Sequence, residues 1–237
     1  MQDKIVDRKR IMEIIDQAHI NDEVIDYLNI SDADLSFSDL SAMMADGMEA
    51  KNTIFRAASL LDASFLDCNF ESADFRNANL EGLHCVDCML NGVNFHQAIM
   101  RYANMSVSMC MESCLNEVDF SNGEMMGSSF HQSTFLQANL REVDGKQADY
   151  KEADLSYATL TEGDFKGASF AGANLTEVMA VKTNFTDCDL TGAILKNGNF
   201  KGADFTGAKL ENVVWNGAVI DEAMFEENVK EKIEQLI

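Results

Sequence analysis

The 237-residue chain contains no proline. A residue without a backbone N–H is kept out of the interior of hydrogen-bonded ladders, so its absence suits a chain that pairs its backbone donors along its whole length. Positive charge is also scarce. Lys and Arg total 18 against 40 Asp and Glu, for a formal charge of −22 and a pI near 4.3. Phosphate backbones and anionic membranes repel such a chain, which argues against direct binding to nucleic acid or membrane. Long apolar runs are missing too. Nothing approaches the ~18 consecutive apolar residues that span a bilayer. The opening stretch, MQDKIVDRKRIMEIIDQ, is too interrupted by charge for a signal-peptide core. The six cysteines lack the spacing of a small disulfide-stapled secreted domain, so a reducing cytoplasm is the simplest setting. With 46% hydrophobic residues, the chain has ample material for a core.

That apolar material is periodic. From about Ile30 to Ile220, nearly every position divisible by five is apolar, as at Leu35, Leu40, Phe55, Leu60, Phe65, Phe70, Phe165, Phe170, Leu175, Phe200 and Phe205. Two residues earlier stands a small residue, as at Ala33, Ala63, Ala73, Ala138, Ala153, Ala168 and Ala203. Between the two comes a short polar one, usually Asp or Asn. The unit reads A-(D/N)-(L/F)-x-x, as in ADLSF, ADFRN, ANLEG and ADFTG.

A five-residue period fits neither the 3.6 of an α-helix nor the 2.0 of an open strand. A coil with corners fits it. The central Leu or Phe and the small residue point inward, three positions face solvent, and successive coils stack at ~4.8 Å with their backbones paired. Volume compensation supports a shared core: Met43 accompanies Ala45, Met48 accompanies Ala50, and Val143 accompanies Gly145.

This pattern resembles the pentapeptide-repeat family over roughly residues 30–222. The resemblance implies an all-β fold, a right-handed quadrilateral β-helix with four units per coil and here about ten coils. It also implies the uninterrupted form of the rod, whereas several quinolone-resistance and gyrase-inhibiting relatives carry loops. The expected division is an N-terminal helical cap over 1–29, the solenoid over 30–222 and a C-terminal amphipathic helix over 223–237.

Both ends of a solenoid expose an apolar cross-section that needs cover. At the start, Ile11, Ile14, Ile15 and Ala18 form a helical stripe, and Asn21 is placed to cap a second short helix, DEVIDYL. At the end, Phe225, Val229, Ile233 and Leu236 form another stripe, serving either as a cap on the last coil or as a homodimer contact.

Candidate chemistry is thin. Cys85 and Cys88 have the spacing of metal ligands, with Cys68 one coil below Cys88 on a square coil. The register instead places Cys68, Cys85, Cys88, Cys110 and Cys188 at core positions, so packing is the favoured reading over a metal or disulfide. His84, His96 and His131 fall on three different sides, and no nucleophile, acid and base converge, so an enzyme is not expected and no cofactor is implied. Met89, Met109, Met111 and Met126 fall at outward or corner positions of the middle coils and could form a partner patch.

The outward acids concentrate on one side, which carries Asp46, Asp67, Asp87, Glu124, Asp144, Asp164, Asp187 and Asp204. The bland account is that Asp is the commonest outward residue of the motif and serves solubility. The sharper one, which the resemblance implies, is a DNA mimic: an acidic rod that binds a type II topoisomerase such as DNA gyrase and inhibits or protects it, conferring resistance to gyrase poisons. The alternative is a scaffold or secreted effector that holds an unrelated protein through the middle coils.

Overall fold

The computed structural model describes residues 7–227 and 229–237; residues 1–6 of the expected N-terminal segment and residue 228 of the C-terminal one lie outside the described residues. From Ile25 to Met224 the chain forms one unbroken parallel ladder in which each partner lies twenty positions on. Ile25 pairs with Ala45, Met44 with Ser64, Asp119 with Asn139, and Asp204 with Met224. Twenty residues are four units, so the coil is four-sided; a triangular one would pair residues three units apart. About ten coils at ~4.8 Å make a rod of ~48 Å.

The hydrogen bonds explain the motif. The central residue donates to the next coil, as Leu35 N does to Ile54 O at 2.8 Å, and the polar residue before it donates to the preceding coil, as Ile54 N does to Ala33 O at 2.9 Å. The second residue after the centre also reaches the next coil (Phe37 N to Arg56 O, 3.0 Å), while the small residue closes a turn (Ser38 N to Leu35 O, 3.2 Å). That leaves one N–H per unit, on the residue directly after the centre. Where the unit carries Asp or Asn two residues earlier, that side chain takes it: Ser36 N donates to Asp34 Oδ1 at 2.9 Å, Lys166 N to Asp164 Oδ1 at 3.2 Å, and Thr186 N to Asn184 Oδ1 at 3.0 Å; elsewhere a side chain of the preceding coil can serve, as Asn91 Oδ1 does for Met111 N at 3.0 Å. The motif's Asp/Asn is therefore a turn cap as much as a solubilising residue.

Every second residue after the centre, from Asp22 to Glu222, has positive φ. Glycine takes this conformation freely, but other residues strain in it by ~1–2 kcal/mol. Val107, at φ 57, is β-branched and therefore the least suited type.

On one side, the first coils depart from this turn. Residues Ile25–Asp26 (β1), Met44–Asp46 (β2), Ser64–Leu66 (β3) and His84–Val86 (β4) are extended and form a four-stranded parallel sheet. Their wider corners are bridged by side chains of the coil that follows. Met48 N donates to Cys68 Sγ at 3.4 Å, and Cys88 N donates to Ser108 Oγ at 3.0 Å, while that hydroxyl donates to Cys85 O at 2.8 Å.

The core holds both inward positions in one continuous cluster. Aromatic rings stack coil on coil: Phe55 on Phe75 at 4.6 Å, Phe130 on Tyr150 at 5.4 Å, Tyr150 on Phe170 at 4.9 Å, and Phe185 on Phe205 at 5.2 Å. The coil spacing falls within the favourable range for offset rings. Gly145, a central residue without a side chain, is filled by its neighbours rather than by Val143 alone. A Cβ there would lie 2.7 Å from Phe165 Cδ1 and 2.9 Å from the Tyr150 hydroxyl, which itself donates to Met125 Sδ at 3.4 Å.

Both ends differ from the sequence reading. Helix α1 spans Arg8–Asn21 and buries Ile11, Ile15 and Ala18, with Arg8 Nη2 2.9 Å from both Ser36 O and Ser38 Oγ. The second helix expected over DEVIDYL is absent. Asp22, in the left-handed conformation, ends α1 by donating to the carbonyls of Ala18 and His19, and Ile25 enters the ladder one unit before the boundary placed at residue 30. Ile25 obeys the five-residue register, and pairing it satisfies the backbone of the coil above. The helix expected over 223–237 shrinks to one turn, α2 at Lys230–Ile233. Met224 still pairs with Asp204, and Phe225 stacks on Phe205 at 5.1 Å, so these residues complete the last coil. Val229 and Ile233 pack on the core, while Leu236 is 57% exposed.

Two stability outcomes follow from this packing. Val107→Gly should raise stability by ~1 kcal/mol by relieving left-handed strain, read as a higher unfolding midpoint. Gly145→Val should lower it by ~1–3 kcal/mol through overpacking, whereas Tyr150→Phe, which removes a buried hydroxyl with only a thioether partner, should be neutral or stabilising. A Gly145→Val protein as stable as the parent would show that Tyr150 does not fill that space.

Candidate functional site

The side that carries β1–β4 also carries the predicted acidic residues, and the ladder sorts them into columns. Glu124, Asp144 and Asp164 are successive partners in one column, with Asn184 and Asp204 beyond them. Asp67, Asp87 and Asp187 occupy the corner column with positive φ, and Asp46 ends strand β2. The row is not continuous, because His84 and Asn104 separate the early acids from Glu124.

The columns differ in what their charges do. Asp144, Asp164 and Asp204 each cap the turn N–H two residues on, at 3.2, 3.2 and 2.9 Å. Lys146 Nζ bridges Asp144 and Asp164 at 2.8 and 3.0 Å, and these two carboxylates hold its ammonium above the ordinary lysine range. Lys166 lies 3.6 Å from Asp187, and Asn104 Nδ2 donates to Glu124 Oε2 at 2.7 Å. Asp46, Asp67 and Asp87 have no cation within ion-pair distance among the described residues. Glu124 and Asp204 likewise lack an ion pair, so lysines neutralise only the stretch from Asp144 to Asp187.

Cations elsewhere are consumed in the same way. Arg56 and Arg76 grip Asp74 at 2.8 and 2.6 Å, Arg101 holds Glu81 at 2.7 Å, and Lys209 holds Asp189 at 3.2 Å. The hydrogen bond from Arg76, with Arg56 beside it, holds the Asp74 carboxyl well below the usual carboxylate range. With most cations paired, the surplus acids give the rod its field.

The cysteines are free thiols, and all but Cys114 are buried. Burial pushes the thiols of Cys110 and Cys188 up to about 12, so both are protonated at neutral pH and poor nucleophiles. Cys188 Sγ donates to Phe165 O at 2.9 Å, the role that Ser108 and Thr183 hydroxyls fill in other coils. Among the described residues, no group of His, Cys, Asp or Glu is arranged to hold a metal ion, and no helix is long and apolar enough to cross a membrane.

Sequence reading missed one feature. Met89, Met109 and Met126 are exposed as predicted, at 44%, 44% and 42%, but Leu66 and Val107 are exposed beside them at 52% and 59%. The available signal was the appearance of apolar residues one or two positions after a central one, where the motif places polar ones. Met111 is only half-buried at its corner.

A rod of twenty-residue coils with two inward positions per unit is a pentapeptide solenoid. The chain is a pentapeptide-repeat protein: the model of the Pentapeptide repeats family matches it as eight copies, over residues 49–82, 148–182, 183–213 and 199–227. That family's fold is the right-handed quadrilateral β-helix. Solved structures with similarity include HetL, a pentapeptide repeat protein involved in heterocyst differentiation regulation from the cyanobacterium Nostoc sp. (17% identity, 94% of this chain and 98% of that one, TM-score 0.43). Another is Rfr23 from the cyanobacterium Cyanothece (21% identity, 50% and 91%, TM-score 0.38). A third is a trypsin-treated form of QnrB1, a plasmid-mediated fluoroquinolone resistance protein (15% identity, 89% and 96%, TM-score 0.36). A comparison with curated proteins found no match.

The Asp74 cluster generates a pH outcome. Its folded pKa is depressed, so its contribution is present above the unfolded carboxylate pKa and is lost as pH falls through the folded one. Asp74→Asn should cost of order 1 kcal/mol at neutral pH. That deficit should shrink as pH falls below ~4. Denaturant unfolding across pH checks this; a deficit constant down to pH ~2 would place the loss in packing.

Proposed function

We propose that this chain is a non-catalytic rod that binds another protein by presenting negative charge where that protein otherwise holds DNA, its partner being a type II topoisomerase such as DNA gyrase. The observation that carries this reading is linear charge density. The chain's net charge is −22, of which the segments outside the ladder carry about −4, so the rod of ~48 Å bears roughly one net charge per ~2.7 Å, sparser than the ~1.7 Å of duplex DNA but of the same order. Most of that charge is surplus after the ion pairs are counted, and it is carried on a rigid ladder. The topoisomerase itself comes from the family resemblance; the surface specifies only a cationic partner. Binding that masks or protects the enzyme would confer resistance to its poisons, and the natural setting of such a rod is the cytoplasm.

Both ends are read as caps. Ile11 and Ile15 are buried at one end, and Phe225, Val229 and Ile233 turn inward at the other, which leaves Leu236 as the one member of the predicted dimer stripe free to meet a second copy. The scaffold alternative draws its support from the exposed apolar residues of the middle coils.

The test is competition with duplex DNA for gyrase. Binding should weaken as salt rises, because the cationic enzyme surface is screened. Converting Asp67, Asp87, Asp187 and Asp204 to Asn should weaken it while preserving the fold, since Asn also caps the turn at 204. Neutralising Asp34, Glu117, Asp154 and Glu177, on another side, is the matched control. Equal loss in both sets would mean that the partner reads bulk charge, and a wild-type rod that leaves gyrase on its duplex would remove the topoisomerase.

A further inference from the structure

We propose that the corner of the rod beside β3 and β4 docks a cationic amphipathic segment of another protein, through a patch formed by Leu66, Val86, Met89, Val107, Met109 and Met126. This inference rests on the reading of the rod as protein-binding, and not on the partner being a topoisomerase. The residues are one surface. Leu66 and Val86 are ladder partners, Met89 and Met109 are ladder partners, and Val107 N donates to Met126 O at 2.9 Å. Three coil steps separate Leu66 from Met126, about 14 Å along the axis.

Two features set the patch apart from scattered surface apolars. One is the backbone of Val107, a β-branched residue held at φ 57 with its side chain 59% exposed. The chain accepts left-handed strain there without gaining burial, although ten other corners of the same kind carry glycine. Every corner of the rod shares this φ, but Val107 is the one β-branched residue found there among the described residues, and its side chain is left in solvent within a group of apolar neighbours. The other is charge. Asp67 and Asp87 directly follow Leu66 and Val86, and Glu112 lies at the next corner. Between Leu66 and Met126 the only Lys or Arg residues are Arg76 and Arg101, which lie on the two other sides and are paired with Asp74 and Glu81.

One and two coils beyond Met126 stand Lys146 and Lys166, held by Asp144, Asp164 and Asp187. An apolar strip with an acidic border and, among the described residues, no unpaired cation beside it complements a segment that alternates Leu-like and Lys- or Arg-like side chains. A second copy of this chain fits poorly, since it would bring its own −22 to the same border. Anionic lipid is disfavoured for the same reason. Methionine supplies an adaptable surface suited to such a guest.

The methionines also provide the readout. The full-length protein is exposed briefly to dilute hydrogen peroxide, alone or with a Leu/Lys amphipathic peptide of about eighteen residues, and sulfoxide at each methionine is measured by mass spectrometry. The peptide should slow oxidation of Met89, Met109 and Met126 about tenfold. Met179 and Met224, exposed elsewhere at 43% and 52%, should be unaffected. An all-Lys peptide of equal length should protect nothing. Val107→Asp should weaken peptide binding about tenfold, and Val107→Gly should weaken it while the fold becomes more stable, which separates lost contact from lost structure. Equal protection of Met179, protection by the all-Lys peptide, protection by phosphatidylcholine vesicles, or no protection at all would each overturn the inference. It fails or stands separately from the gyrase reading, because the peptide assay contains no topoisomerase and the gyrase competition can succeed without this patch.

Discussion

The structure depends on one backbone N–H. In each five-residue unit, the inter-coil ladder and the corner turn use four donors, and the residue after the central one is left without a backbone partner. Leaving that amide without a protein partner at every corner would forgo a hydrogen bond of about 1 kcal/mol per unit. In the units that carry it, the Asp or Asn two residues earlier makes that bond by folding its carboxylate or amide over the corner. The most polar position of the motif is therefore tied to the backbone, and the acidity of the rod is in part a by-product of closing its corners.

The interior is governed by the same repeat distance. Because coils stack at ~4.8 Å, aromatic rings one coil apart arrive at offset-stacking distance without adjustment, and columns such as Phe165, Phe185, Phe205 and Phe225 run through the lower half of the rod. Beyond the first coil, where a Ser or Thr takes the small inward position, its hydroxyl is matched to a carbonyl of the coil before it, as with Ser113 Oγ and Leu90 O or Thr53 Oγ1 and Ile30 O. Cys68, Cys88 and Cys188 take the place of these hydroxyls while Cys85 fills a central position, so the metal-like spacing of Cys85 and Cys88 is that of the two inward positions of successive units. At the wider corners of β1–β4 side chains from the next coil replace the turn hydrogen bond, and Ser133 Oγ does the same for Ser113 N on the neighbouring side.

Function is left to the outward positions. They carry a net negative field, cations tied up in inter-coil pairs, and one apolar corner in the middle coils. Charge sets attraction and range, whereas a desolvated apolar contact sets which partner stays. The acidic early coils and the apolar corner adjoin, so a partner drawn to one meets the other.

The period and the inward positions were legible in the sequence because a five-residue repeat has no other way to bury a constant face; the square coil came from the family resemblance, and the twenty-residue ladder bears it out. The acidic side could be read for the same reason, since residues twenty apart must share a column once the coil is square. Its division into capping, lysine-neutralised and free carboxylates could not, because that depends on which side chains of adjacent coils come within reach, as with Lys146 between Asp144 and Asp164. The ends were misread where local pattern competed with the ladder. DEVIDYL and the first residues after Asp221 carry helical spacing, yet Ile25 and Phe225 also sit in the five-residue register, and pairing with a neighbouring coil outweighs an isolated turn of helix. Sequence alone determined the coil and its contents; tertiary contact between coils decided where the coil starts and stops, which charges are free, and that Leu66 and Val107 join the methionines in a single surface.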